Sequence, residues 1–193
     1  SSCSSAPTVA YAFLATSNLP LWSIVWSDYL SSCPSGSALP IVHTQSRDVM
    51  VRSELSKQIE RFGGRLIPYG LSHQGDPRWS FRMVSIMLTT FRQATNESTR
   101  ARNGCRPTHI HVLSESDVPV RSCSDLHSLL ASSPDVSRID VIETRPSSPS
   151  IQLHNGSVTQ PILKSSQWLT LTADAARALA DDEFGISLRW HGI

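Results

Sequence analysis

His109-Ile110-His111-Val112-Leu113-Ser114-Glu115-Ser116-Asp117-Val118-Pro119-Val120 is the stretch from which the fold can be read. Its first half is short, largely apolar and β-branched at alternate positions, which predicts a buried central strand. Its second half turns polar at Ser114, and Pro119, which has no N–H for a ladder, closes the strand. Two hydroxyls and two carboxylates, on Ser114, Glu115, Ser116 and Asp117, are thereby carried to the C-terminal tip. In open α/β sheets ligands bind outside those tips. A plain polar turn would need the same residue types, so the stretch has to be weighed against its surroundings.

Just upstream, Thr95 to Pro107 reads as a polar loop. Before it, Trp79 to Ala94 has the cleanest helical period in the chain. Trp79, Met83, Met87 and Phe91 form one i, i+4 row, with Val84, Ile86, Leu88 and Ala94 beside it. Val9 to Leu14 reads as a first strand, followed by the loop Ala15-Thr16-Ser17-Asn18, in which Ser17 or Asn18 can cap a helix. Leu19, Trp22, Val25, Trp26 and Tyr29 recur at helical spacing, the tryptophans as core rather than as a sugar platform. Leu39 to His43 is a second strand, Ser53 to Phe62 a helix stopped by Gly63-Gly64, and Arg65 to Tyr69 a third strand.

Downstream, Ser122-Cys123-Ser124-Asp125 has the form of a capping box for a helix from Ser124 to about Ser132. Ile139 to Ile142 is a strand, and Pro146 to Ser150 a serine- and proline-rich loop. Asn155-Gly156 is a hairpin signal between Ile151–Leu153 and Val158. Gln167 to Leu171 is a last strand, and a helix runs from Thr172 through Ala180. Strands alternating with helices predict one α/β domain over residues 1–193, a mostly parallel sheet flanked by helices with an antiparallel C-terminal part.

Bulk properties narrow the function. A net charge of +1 argues against nucleic acid as a partner, because phosphate binding needs a basic surface. No apolar run is long enough to span a bilayer, although an anchor outside this chain is compatible with its first residue, Ser1. The four cysteines, Cys3, Cys33, Cys105 and Cys123, lack C-x-x-C spacing, which argues against zinc. They read as free thiols in preference to one or two disulfides. Asn96-Glu97-Ser98 and Asn155-Gly156-Ser157 fit the N-glycosylation pattern, which also arises by chance in a serine-rich chain. There is no G-x-G-x-x-G, no P-loop and no G-x-S-x-G, which argues against dinucleotide, ATP and nucleophile-elbow chemistry.

Five segments, in order, carry a likeness to a known family. They are Ala12-Phe13-Leu14 with its following helix, Val42-His43-Thr44-Gln45, Trp79-Ser80-Phe81-Arg82-Met83-Val84, Leu113-Ser114-Glu115-Ser116-Asp117-Val118-Pro119, and Lys164-Ser165-Ser166-Gln167-Trp168. The chain resembles the core-2/I-branching N-acetylglucosaminyltransferase and peptide xylosyltransferase family, inverting glycosyltransferases of the GT-A type. The resemblance implies transfer of a sugar from a UDP-sugar donor to a hydroxyl of a glycan or glycoprotein acceptor. It implies the Golgi lumen or secretory pathway for a protein from a cellular eukaryote.

On that resemblance, Ala15, Thr16, His43, Gln45, Trp79, Ser114, Glu115, Ser116 and Asp117 are expected to bind the nucleotide sugar. Ala15 and Thr16 would offer backbone groups to the base and ribose. Gln45 stands where the family often has Asp, and so brings an amide without a charge. Lys164, Gln167 and Trp168 are expected near the acceptor or the departing phosphates. Carboxylates beside a diphosphate repel it unless a cation intervenes. The expectation is nevertheless for no manganese or magnesium, since carboxylates can accept hydrogen bonds from sugar hydroxyls; Asp117 is the ligand if a metal is used. Inverting transfer needs a general base. The chain departs from the family here, because Asp181, Asp182 and Glu183, the available carboxylates, follow Trp168 too closely. Asp182 and Glu183 are the candidates. The competing reading is a non-catalytic glycan- or protein-binding module on the same fold; a flavodoxin-like regulator is a third.

Overall fold

Seven consecutive buried residues open the sheet. In the computed structural model, which describes residues 7–34, 36–67, 81–142, 150–152, 159–161 and 164–181, strand β1 spans Val9–Ala15. Its odd-numbered side chains, Val9, Tyr11, Phe13 and Ala15, enter one core, and Ala10, Ala12 and Leu14 enter another. The period-2 alternation of a strand thus feeds two helical layers at once. β1 pairs in parallel with β2 (Ala38–Thr44) on one side and with β4 (His109–Ser114) on the other, and β3 (Arg65–Leu66) extends the β2 edge.

Beyond β4 the sheet changes direction. β8 (Lys164–Thr172) runs antiparallel to β4, and β5 (Arg138–Ile142) runs antiparallel to β8. The order is β3-β2-β1-β4-β8-β5, a mixed six-stranded sheet, mostly parallel in its first half. A separate two-stranded antiparallel ribbon joins β6 (Ser150–Gln152) to β7 (Thr159–Pro161). The Asn155-Gly156 turn expected between these arms lies outside the described residues.

On the first face, Leu19, Trp22, Trp26 and Leu30 pack with Leu55, Ile59 and Phe62 over Tyr11 and Phe13. Trp22 and Trp26 are core residues, Trp26 meeting the Phe13 ring edge-on at 4.8 Å. The expected capping by Ser17 or Asn18 does not occur. The segment starts as a π turn, Trp22–Trp26, whose Trp26 N–H reaches back five residues to the Leu21 carbonyl, and continues as α1 (Ser27–Ser31). The wider turn places both indoles over β1. On the second face α3 (Phe81–Thr95) and α5 (Ala173–Asp181) bury Ile86, Leu88, Phe91, Ala94, Ala176 and Ala180 against Ile110, Val112 and Leu171.

Helix boundaries differ from the expected ones, most at the start of α2 (Val49–Glu60) and by one residue at each end of α4 (Cys123–Ala131) and α5. α2 runs Val49–Glu60 rather than from Ser53, because the Asp48 carboxylate caps the N–H groups of Met50 and Val51. Val49 and Met50 are 77% exposed, so apolar periodicity gives no sign of this first turn. Gly63 ends the helix with φ +72°, and the Gly64 N–H closes on the Ile59 carbonyl; a Cβ on Gly64 would lie 2.7 Å from Pro40. α4 occupies Cys123–Ala131, with the Ser122 hydroxyl accepting from the Asp125 N–H.

The expectation of free thiols is overturned. Cys33, just past α1, and Cys123, at the start of α4, form a disulfide across 90 residues, with Cα atoms 5.1 Å apart. Cys105 is also disulfide-bonded. Spacing along the chain could not reveal the first pair, because it is the parallel pairing of β1 with β4 that brings α1 and α4 together on one face.

Candidate functional site

The sheet order places a switch point between β1 and β4. From β1 the chain crosses to β2 on one side, and later returns to place β4 on the other. The crevice outside the carboxyl ends of such a pair is where α/β sheets bind ligands. Here a cavity of about 220 Å³ is lined by Leu14 and Ala15 at the end of β1 with Thr16 just past it, His43 of β2 with Gln45 just past it, and Ser114 of β4 with Glu115 and Ser116 following. Met83 and Ile86 on α3 form its wall. Seven of the nine residues expected to bind a nucleotide sugar therefore meet around one space.

The rim is held by polar contacts that the sequence did not reveal. The Thr16 N–H donates to one Glu115 oxygen at 2.5 Å, and the Thr16 hydroxyl donates to the other at 2.6 Å. The Gln45 N–H donates to the Ala15 carbonyl at 3.1 Å, and the Thr44 hydroxyl to the Ser17 carbonyl. The backbone groups of Ala15 and Thr16 expected to meet a base or ribose are thus already engaged. A ligand reaching the Thr16 N–H must move Glu115 or share it.

Asp117 departs from its expected place. Its carboxylate accepts the Ser114 N–H at 2.7 Å and its carbonyl accepts the Trp26 indole N–H at 2.9 Å. It thereby folds the chain back after β4, and it does not line the Thr16–Glu115 cavity. It faces a second, larger cleft of about 830 Å³, with His111, Ser116, Val118, Arg138 and Thr170 among its walls. Ser116 borders both spaces, which lie on either side of the Ser114–Asp117 turn.

The second cleft contains chemistry that went unpredicted. His111 Nδ1 lies 2.7 Å from the Thr170 hydroxyl, and the imidazole meets Tyr11 edge-on. Burial lowers the His111 pKa, opposed by the nearby Asp117 charge, so the ring is neutral near pH 7. The alternation His109-x-His111 was the available signal, since it turns both imidazoles to the same face of β4. His109 and His127, both buried, are also lowered chiefly by burial.

Lys164, Gln167 and Trp168 lie on β8. That strand is antiparallel to β4, so its first half lies toward the rim at which β4 ends. Trp79, Asp182 and Glu183 lie outside the described residues; Asp181 is the last residue of α5. Cys33, Cys123 and His127 bring potential metal-ligating atoms within 4.8 Å of one another. The two sulfurs are bonded to each other, which leaves one nitrogen donor and no thiolate. Among the described residues no helix is long and apolar enough to cross a membrane.

The arrangement offers a small mixed-polarity pocket at the switch point and a wider cleft beyond one turn, suited to a ligand that crosses the tip of β4. No family model and no curated protein matches the chain.

Proposed function

We propose that the chain is an inverting glycosyltransferase of the GT-A type, similar to the core-2/I-branching and peptide xylosyltransferase family. It would move a sugar from a UDP-sugar to a hydroxyl of a glycan or glycoprotein. The observation that carries this reading is the meeting of four of the five likeness segments at the β1/β4 switch point. Ala15 and Thr16 follow the first, His43 and Gln45 belong to the second, Met83 to the third, and Ser114 to Ser116 to the fourth.

The sizes suit a divided ligand. About 220 Å³ is less than the roughly 300–1,000 Å³ of pockets that enclose a whole drug-sized molecule. It fits a base or a ribose. The diphosphate then crosses the Ser114–Asp117 turn, where Ser116 borders both spaces, and the sugar and acceptor occupy the wider cleft. Glu115 binds sugar or ribose hydroxyls in place of Thr16. The Asp117 Oδ2 accepts the Ser114 N–H, and the reading keeps a donor site that needs neither manganese nor magnesium, with Asp117 as the ligand if a metal is used.

In the transfer itself the acceptor oxygen attacks the anomeric carbon, a carboxylate takes its proton, and UDP departs with the bonding electrons. Asp182 and Glu183 are the proposed bases, and Lys164, Gln167 and Trp168 the proposed contacts to acceptor or phosphates. The reading places the protein in the Golgi lumen or elsewhere in the secretory pathway, a setting in which disulfides persist.

Isothermal titration with UDP, UDP-glucose, UDP-xylose and UDP-N-acetylglucosamine tests it. Binding at micromolar to low millimolar concentration, lost when a bulky residue replaces Ala15, is expected. Absence of binding for every nucleotide sugar at millimolar concentration would refute it.

A further inference from the structure

The loop between α3 and β4 carries a feature that neither cleft uses. Asn96-Glu97-Ser98 lies there with Asn96 and Ser98 both exposed. The Asn96 Oδ1 accepts the Ser98 N–H at 2.9 Å and the Ser98 hydroxyl at 2.8 Å. The backbone N–H can only donate, which assigns the oxygen of the amide to the Ser98 side of the turn. The Asn96 Nδ2 makes no hydrogen bond among the described residues.

We infer that Asn96 is a site of N-linked glycosylation. The triplet matches the acceptor pattern for that modification. The Asx turn supplies what the pattern alone lacks. Its bonds span two residues, so they can form in a nascent chain before any tertiary structure. They engage Oδ1 and leave Nδ2, the atom to be modified, unencumbered.

A second, independent observation points to the right compartment. Cys33–Cys123 and the disulfide-bonded Cys105 belong to an oxidising environment, where N-glycosylation also takes place.

The position tolerates a large adduct. α3 puts Met83 and Ile86 at the candidate site and ends at Thr95. Ten residues of helix, roughly 15 Å at 1.5 Å each, separate Ile86 from Asn96. Asn96 therefore lies in the loop that leads to the N-terminal end of β4, away from the C-terminal strand tips that carry the 220 Å³ cavity, and neither cleft is lined by Asn96, Glu97 or Ser98.

The reaction needs a lipid-linked oligosaccharide diphosphate and the host transferase that uses it. Nδ2 forms a bond to the anomeric carbon of the first sugar. The bond from that carbon to the diphosphate oxygen breaks, the lipid diphosphate leaves with the electron pair, and one Nδ2 proton passes to a base of the transferase.

The test is secretion of the full chain from cultured eukaryotic cells behind a cleavable leader. Treatment with a peptide-N-glycosidase and peptide mass spectrometry follow. Asn96 is expected to be recovered as Asp in most molecules. The glycan should disappear in Asn96→Gln and in Ser98→Ala, persist in Ser98→Thr, and be indifferent to Asn155→Gln. Should Asn96→Gln fail to be secreted, Ser98→Ala gives the same readout with the asparagine intact. An unmodified Asn96 in the secreted, oxidised chain would overturn the assignment. Nucleotide-sugar binding plays no part in this result.

Discussion

Thr16 gives both its backbone N–H and its hydroxyl to the carboxylate of Glu115. The two residues follow adjacent parallel strands, 99 positions apart in sequence, and their contact bridges the switch point of the sheet. Hydrogen bonds to an ionised acceptor are stronger than neutral ones, but this pair lies at the surface, where water competes. Its consequence should therefore appear in binding more than in stability.

Glu115→Ala is expected to weaken UDP-sugar affinity by at least about tenfold, which corresponds to about 1.4 kcal/mol. It should change unfolding free energy by no more than about 1.5 kcal/mol. Thr16→Ala should cost less affinity, since its backbone N–H remains. Titration calorimetry alongside urea melts separates the two effects. A large stability loss with unchanged affinity would make the contact purely architectural.

Asp117→Asn retains an oxygen for the Ser114 N–H. Donor affinity should stay within about twofold of the parent and be indifferent to EDTA and to added manganese; Asp117→Ala, which strands that N–H, should destabilise by about 1–3 kcal/mol. If Asp117→Asn abolished binding and manganese enhanced it in the parent, Asp117 would be a metal ligand after all.

The disulfide joins the segment after α1 to the start of α4 over a span of 90 residues. Cys33→Ser with Cys123→Ser, or reduction of the pair, should cost about 2–5 kcal/mol and lower Tm by roughly 5–15 °C. Differential scanning calorimetry in the presence and absence of reductant reads this directly.

His109, His111 and His127 all have pKa values lowered by burial; at His109 the Arg138 charge adds to the effect, while Asp135 opposes it. The neutral rings fit the fold, and the unfolded chain takes up protons first. Their contribution is thus complete above about pH 6.5, the ordinary histidine value, and is lost as pH falls through the lowered folded values. Tm should drop on acidification from pH 7.5 to pH 5. Replacing His109 with Gln should flatten that slope while lowering Tm at pH 7.5. An unchanged slope would assign the acid sensitivity to other groups.

The β1 and β4 runs declared themselves in sequence because buried parallel strands read as nearly unbroken apolar stretches. The α3 row was equally plain, since it faces a single core. The start of α2 was hidden, because Val49 and Met50 are apolar yet exposed, and Asp48 alone marks the cap. The cavity residues Ala15, His43 and Ser114 could be proposed from strand ends. That Thr16 would hold Glu115, or that Asp117 would turn toward His111, depends on side-chain reach across strands distant in the chain. The Cys33–Cys123 pairing was concealed for the same reason.

The insertion of β8 between β4 and β5 affects how the molecule is made. β5 is an edge strand whose partner in the sheet is β8, and β8 is completed only at Thr172. During synthesis at about 5–20 residues per second, the β1–β4 half can assemble while Arg138–Ile142 waits with its backbone unpaired. Until translation passes β8, that exposed ribbon is the part of the nascent protein most open to pairing with a wrong neighbour. Chaperone capture of ribosome-bound chains stalled between β5 and β8 is the expected trace of that interval.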